Sequence, residues 1–173
     1  MHIEELVNRI RTLPNCTVIP PSGLPRTDEE HRLTDDIIRF YELCGGVTLF
    51  KDAPYSVRIL APDEVKQSTP IFWDEEIMEA AQETLEYKIS SGWYVIVDLH
   101  DSNYLSIDLN KKRRGRCYQT FWDSYAVIGE TPIVASSFSD LLERLVENQG
   151  DYWYFLKDEF VPLGDAYDDV DLD

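Results

Sequence analysis

The sequence predicts an α+β fold: a single domain in which a mixed or mainly antiparallel sheet packs against N-terminal and C-terminal helices. Three observations carry this. Apolar residues recur at the helical period near both ends, at Ile3, Leu6, Val7 and Ile10 and again at Phe138, Leu141, Leu142, Leu145 and Val146. Between them, Trp93–Asp98, Tyr104–Leu109 and Arg116–Phe121 read as β-like runs parted by turn material, the spacing of an antiparallel meander. No linker or internal repeat divides the 173 residues, a length suited to one domain.

Each element has a local reason. The first helix should end near Leu13-Pro14, because the residue before proline is pushed out of helical backbone. Residues 15–32 carry Pro20, Pro21, Gly23 and Pro25 and read as an extended loop. A second helix starts at Thr34, a suitable N-cap, with Asp35 and Asp36 at the positive end of the dipole. Its buried face is Ile37, Phe40, Tyr41 and Cys44, and Gly45-Gly46 supplies a left-handed stop. Val47–Phe50 and Ser56–Leu60 read as short strands. Residues 74–87 form an amphipathic helix that opens on Asp74, Glu75 and Glu76 and buries Ile77, Ala80, Ala81 and Leu85. After the meander, Ser137 with Asp140 marks a capping box for the last long helix. An aromatic segment, Tyr152–Phe155, follows Gly150. Residues 1–157 thus make the domain. Residues 158–173, with seven acidic residues and no basic one, are expected to form a mobile tail.

The charge balance narrows the function. Thirty-three acidic against sixteen basic residues leave a net charge of −17. Such a surface repels phosphate backbones and anionic membranes, so neither nucleic acid nor a membrane is expected as partner. A basic protein is the natural counterpart, since opposite net charges steer encounter. No apolar stretch approaches the roughly 20 residues that span a bilayer, and no secretory signal opens the chain. Cys16, Cys44 and Cys117 are odd in number and widely spaced, with no CxxC pair. A cytoplasmic protein with reduced thiols is the expectation. The oligomeric state has no signature in the sequence.

With the elements placed, a pattern emerges. Ile38-Arg39-Phe40-Tyr41-Glu42-Leu43-Cys44-Gly45-Gly46 resembles the end of the second helix in the SUKH superfamily, the Smi/Knr-type domains. The resemblance continues through Trp93–Asp98, Tyr104–Asp108 and Cys117-Tyr118 to Val134-Ala135-Ser136-Ser137-Phe138-Ser139-Asp140-Leu141-Leu142-Glu143. Residues 62–92 are longer and more helical than the family pattern, and the segment after Gly150 has no counterpart in it. The resemblance implies an α+β domain without catalytic residues. In bacteria it implies an immunity protein that binds and neutralises a cognate toxin, often a nuclease or deaminase. The alternative it allows is a regulatory scaffold without a toxin.

The residue chemistry agrees with binding over catalysis. No GxSxG, P-loop, HExxH or GxGxxG pattern occurs. His100 lies within Asp98-Leu99-His100-Asp101-Ser102, but one histidine falls short of the three or four convergent ligands of a metal site, so a turn-stabilising role is expected. No cofactor is expected. Lys111-Lys112-Arg113-Arg114 with Arg116 reads as a solvated hairpin loop, the other readings being docking of the acidic tail or of a partner's phosphate. The candidate partner-binding residues are Trp73 with Asp74, Glu75 and Glu76, and Trp122 with Asp123. Tryptophan dominates interface hot spots, and the flanking carboxylates suit a basic partner. Core packing is the competing explanation for both tryptophans.

Overall fold

A computed structural model describes residues 2–170. Seven strands form one sheet in sequence order, each antiparallel to the next. They are β1 (Thr17–Val18), β2 (Val47–Leu49), β3 (Val57–Ile59), β4 (Trp93–Asp98), β5 (Asn103–Asp108), β6 (Cys117–Phe121) and β7 (Ile133–Ala135). The sheet is therefore antiparallel throughout, with β1 and β7 added to the five strands expected. Both are three residues or fewer, too short to show alternation in sequence.

The helices are α1 (Ile3–Thr12), α2 (Asp35–Leu43), α3 (Thr69–Phe72), α4 (Glu75–Ala81), α5 (Leu85–Ser90) and α6 (Phe138–Asn148). As their periodicity requires, α1 buries Ile3, Leu6, Val7 and Ile10, and α6 buries Phe138, Leu141, Leu142, Leu145 and Val146. The helices α1, α2 and α6 pack on one another and share a core with Leu105 and Ile107 of β5 and Cys117 of β6. The alternate residues, Ser106 and Asp108 on β5 and Tyr118 and Thr120 on β6, face the other way. There a second cluster gathers Trp93, Tyr118, Tyr125, Ala126, Ile133, Ala166 and Tyr167.

Several local expectations are revised. The Thr34 hydroxyl donates to Asp36 Oδ1 rather than capping α2 (2.5 Å), while Asp36 Oδ2 accepts from the backbone and hydroxyl of Ser139 (2.9 and 3.0 Å). One carboxylate thereby ties the starts of α2 and α6 together. Cys44 ends α2 in extended backbone, without a left-handed residue immediately after the helix. Gly45 is instead required by space: a Cβ there would lie 2.3 Å from the Pro20 carbonyl oxygen. Gly46 alone has the positive φ, 115°. The Ser137 hydroxyl accepts from Asp140 N (3.0 Å), but Asp140 returns its carboxylate to Ser136, so only the forward half of the box forms.

The expected helix 74–87 is broken. Thr84 caps a separate α5 by accepting from Tyr87 N, and α4 buries no side chain, leaving Ile77 48% exposed. The tail also differs from expectation. Leu163 N donates to Ile133 O, Ile133 N to Gly164 O and Ala166 N to Thr131 O, covering the outer edge of β7. Ala166 and Tyr167 are buried, and the Tyr167 hydroxyl donates to Ala126 O (2.7 Å). Charge alone suggested fraying; one buried tyrosine and an available strand edge outweigh it. The tail's last residues, 171–173, lie outside the described residues.

Candidate functional site

The two predicted segments, 73–76 and 122–123, are joined through their neighbours: Trp73 meets Tyr125, and Ile71 and Phe72 share a groove lining with Trp122. The link is Tyr125, whose hydroxyl lies 2.6 Å from Ser68 Oγ and 2.8 Å from Thr69 Oγ1, with Thr69 bonded onward to Ser90 (3.0 Å). Burial raises the Tyr125 hydroxyl to about 12, so it stays a neutral donor. Phe72 stacks on the same ring at 4.4 Å and Trp73 meets it edge-on at 5.5 Å. This latch holds α3 against the loop that follows β6.

Trp122 and Trp73 then part company. Trp122 is 68% exposed, whereas Trp73 is half-buried against Tyr125. Asp74, Glu75, Glu76 and Asp123 are all exposed, and Asp74 caps α4 by accepting from Ile77 N (2.8 Å). Beside Trp122 opens a groove of about 300 Å³ lined by Ile71, Phe72, Asp101, Ser102, Tyr104 and Trp122. Asp101 and Ser102 come from the β4–β5 turn, where three consecutive residues, His100, Asp101 and Ser102, hold positive φ (71°, 54° and 64°). Asp98 Oδ1 accepts from His100 N (2.7 Å), the turn-stabilising role expected of this segment.

Sequence reasoning missed Ile71, Asp101 and Tyr104. Nothing in their local pattern separates them from packing residues; only the register does. Arg58 opposes Asp98, Asp98 opposes Tyr104 and Tyr104 opposes Thr120, giving a polar row across four strands. In that row Arg58 is held in a bidentate pair with Glu64 (2.8 and 3.0 Å) and reaches Asp98 at 3.4 Å. Burial, then the nearby Asp98 carboxylate, pushes the Tyr104 hydroxyl above its ordinary value.

Other charged clusters serve the fold. Arg113, in the basic hairpin loop, is buried rather than solvated, its Nε 3.4 Å from Asp108. Arg116 pairs with Asp169 of the C-terminal segment at 2.9 Å, so the tail-docking reading of this cluster is realised. Asp108 is fully buried and accepts from the Tyr118 hydroxyl (2.5 Å) and from Asn110 N and Nδ2 (both 2.9 Å). Burial nonetheless raises its carboxyl. Among the described residues, one group has metal-ligand proximity: Asp28, Glu30 and His31. His31 Nδ1 is engaged by the Tyr94 hydroxyl at 2.9 Å, and that hydroxyl also accepts from Asp28 N (3.1 Å). The group fastens the loop before α2 onto β4. No helix among the described residues is long and apolar enough to cross a membrane.

Comparison with known proteins adds two findings. The model of the SMI1 / KNR4 family (SUKH-1) matches residues 29–144. The chain is also 42% identical, over all 173 residues and the whole length of both chains, to "Immunity protein YokJ" of Bacillus subtilis (strain 168). No solved structure matches.

Proposed function

The chain belongs to the SMI1 / KNR4 family (SUKH-1), and from that premise we propose that it is an immunity protein, one that binds a cognate protein toxin and blocks its action. The end-to-end likeness to a protein named as an immunity protein carries this reading. Its mode of action is occlusion, not catalysis. The toxin is basic and acts on nucleic acid: a net charge of −17 favours a cationic partner, and the acidic surface presents to it the charge of its substrate.

Contact runs through the face built by Asp74, Glu75, Glu76, Trp122 and Asp123, with Trp73 supporting it through its packing on Tyr125. An exposed tryptophan on a latched loop, with Asp123 next to it in sequence and Asp101 in the groove beside it, is the chemistry of a hot spot for a basic surface. Three unpaired cysteines, two of them buried, suit action in a reducing compartment, the cytoplasm.

The test is growth rescue. Each toxin-like product encoded beside this gene is expressed in a bacterial host with and without this protein, and complexes are co-purified. Restored growth with a stable complex is the expected result. No rescue and no complex would overturn the reading and favour a regulatory scaffold.

A further inference from the structure

We propose that the groove beside Trp122 receives an arginine side chain of the basic toxin. The inference rests on the immunity reading and adds the chemistry by which the partner is read. The groove is lined by three aromatic residues, Phe72, Tyr104 and Trp122, by Ile71, and by Asp101 and Ser102, so its residues carry one carboxylate and two hydroxyls, those of Ser102 and Tyr104. Among the described residues, no hydrogen bond within the protein uses the Asp101 carboxylate or either hydroxyl. A planar guanidinium satisfies both kinds of surface at once: it stacks on aromatic rings and donates in parallel to a carboxylate. A lysine ammonium, compact and strongly hydrated, gains less from the stacking.

Charge decides the occupant. Among the described residues no basic side chain lines the groove, and Arg58, in the same cross-strand row as Tyr104, is already held by Glu64 and Asp98. The acids of α4's start, Asp74, Glu75 and Glu76, follow directly on the groove's Ile71-Phe72 wall and add to the negative field. A second copy of this chain is a poor occupant, because two molecules of charge −17 repel. The chain's own C-terminal segment is docked elsewhere, along β7 and on Arg116.

The first arm of the test uses N-acetyl-arginine amide as probe on the full-length, isotope-labelled protein, followed by NMR. Of the four tryptophan indoles, Trp122's should move selectively and saturably, with a dissociation constant on the order of 1–10 mM for so small a ligand. N-acetyl-norleucine amide should leave it in place, and Asp101→Asn, at a position whose positive φ asparagine tolerates, should abolish the shift. An unmoved indole, or an equal response to norleucine, would overturn the proposal.

The second arm uses the toxin recovered by rescue. Trp122→Ala and Asp101→Asn should each weaken the complex, the former by about 30-fold or more. If both variants bind and rescue as well as the natural protein, the groove assignment fails while the immunity reading stands. If arginine binds but no toxin is neutralised, the immunity reading fails and the groove remains.

Discussion

Single residues show how differently the same side-chain type is used. The three thiols divide by burial: Cys44 and Cys117 are fully buried and pushed above their ordinary values by that burial, while Cys16 is only partly covered. Thiolate is the reactive form, so a thiol-specific reagent should modify the native protein at Cys16 alone within minutes and all three after unfolding. Rapid labelling of Cys117 in the native state would contradict the packing. Asp108 makes a sharper case. Its three donors favour the carboxylate, yet burial wins and the folded value is raised. A raised acid contributes stability that is full below its unfolded value, about pH 4, and is lost as pH rises through the folded value. The stability difference between the natural protein and Asp108→Asn should therefore shrink from pH 4 to pH 8 in urea titrations; a widening gap would reverse the sign. None of this was legible in the sequence, where Asp108 is one of 33 acids and only its register beside Tyr118 and Asn110 marks it. Trp122 was legible as a candidate contact residue, but the Trp73 side chain was not separable from it until its ring was seen against Tyr125.

At the scale of elements, legibility followed periodicity. The helices α1 and α6 repeat their apolar residues often enough to fix both face and length, and the three central strands are β-like runs set between clear turns. Residues 74–87 read as one helix because acids and alanines satisfy the helical pattern without needing burial; the cap at Thr84 divides it. The tail misled for the opposite reason. Its seven acids suggested solvent, but docking is decided by Tyr167, Ala166 and the unpaired edge of β7. Ending the chain at Lys157 should thus cost about 3 kcal/mol or more, since it empties a buried aromatic site and bares a strand edge. Urea unfolding checks this; a change below about 0.5 kcal/mol would mean the segment contributes only surface.

For the whole molecule, charge and shape act together. A net charge of −17 would speed encounter with a cationic partner but give no orientation; in the proposed mode of binding the latched aromatic face gives orientation. The two contributions separate kinetically. Raising salt from 50 to 500 mM should slow association with the toxin by about 10-fold or more, because exposed charges are screened beyond about 8 Å at physiological ionic strength, while dissociation changes little. Association indifferent to salt would remove the electrostatic part of the account and leave the aromatic part. The fold class was legible from periodicity, and the family from an ordered set of weak anchors between residues 34 and 146, close to the span of the family match. The candidate face was half legible: composition named its tryptophans and acids, but only strand register and the Tyr125 latch show the groove beside Trp122. Hydrogen–deuterium exchange on the toxin complex tests that face most directly. Protection on binding should concentrate in residues 69–81, 99–104 and 121–125. Protection confined to α1, α2 and α6, with those three segments unchanged, would contradict the account.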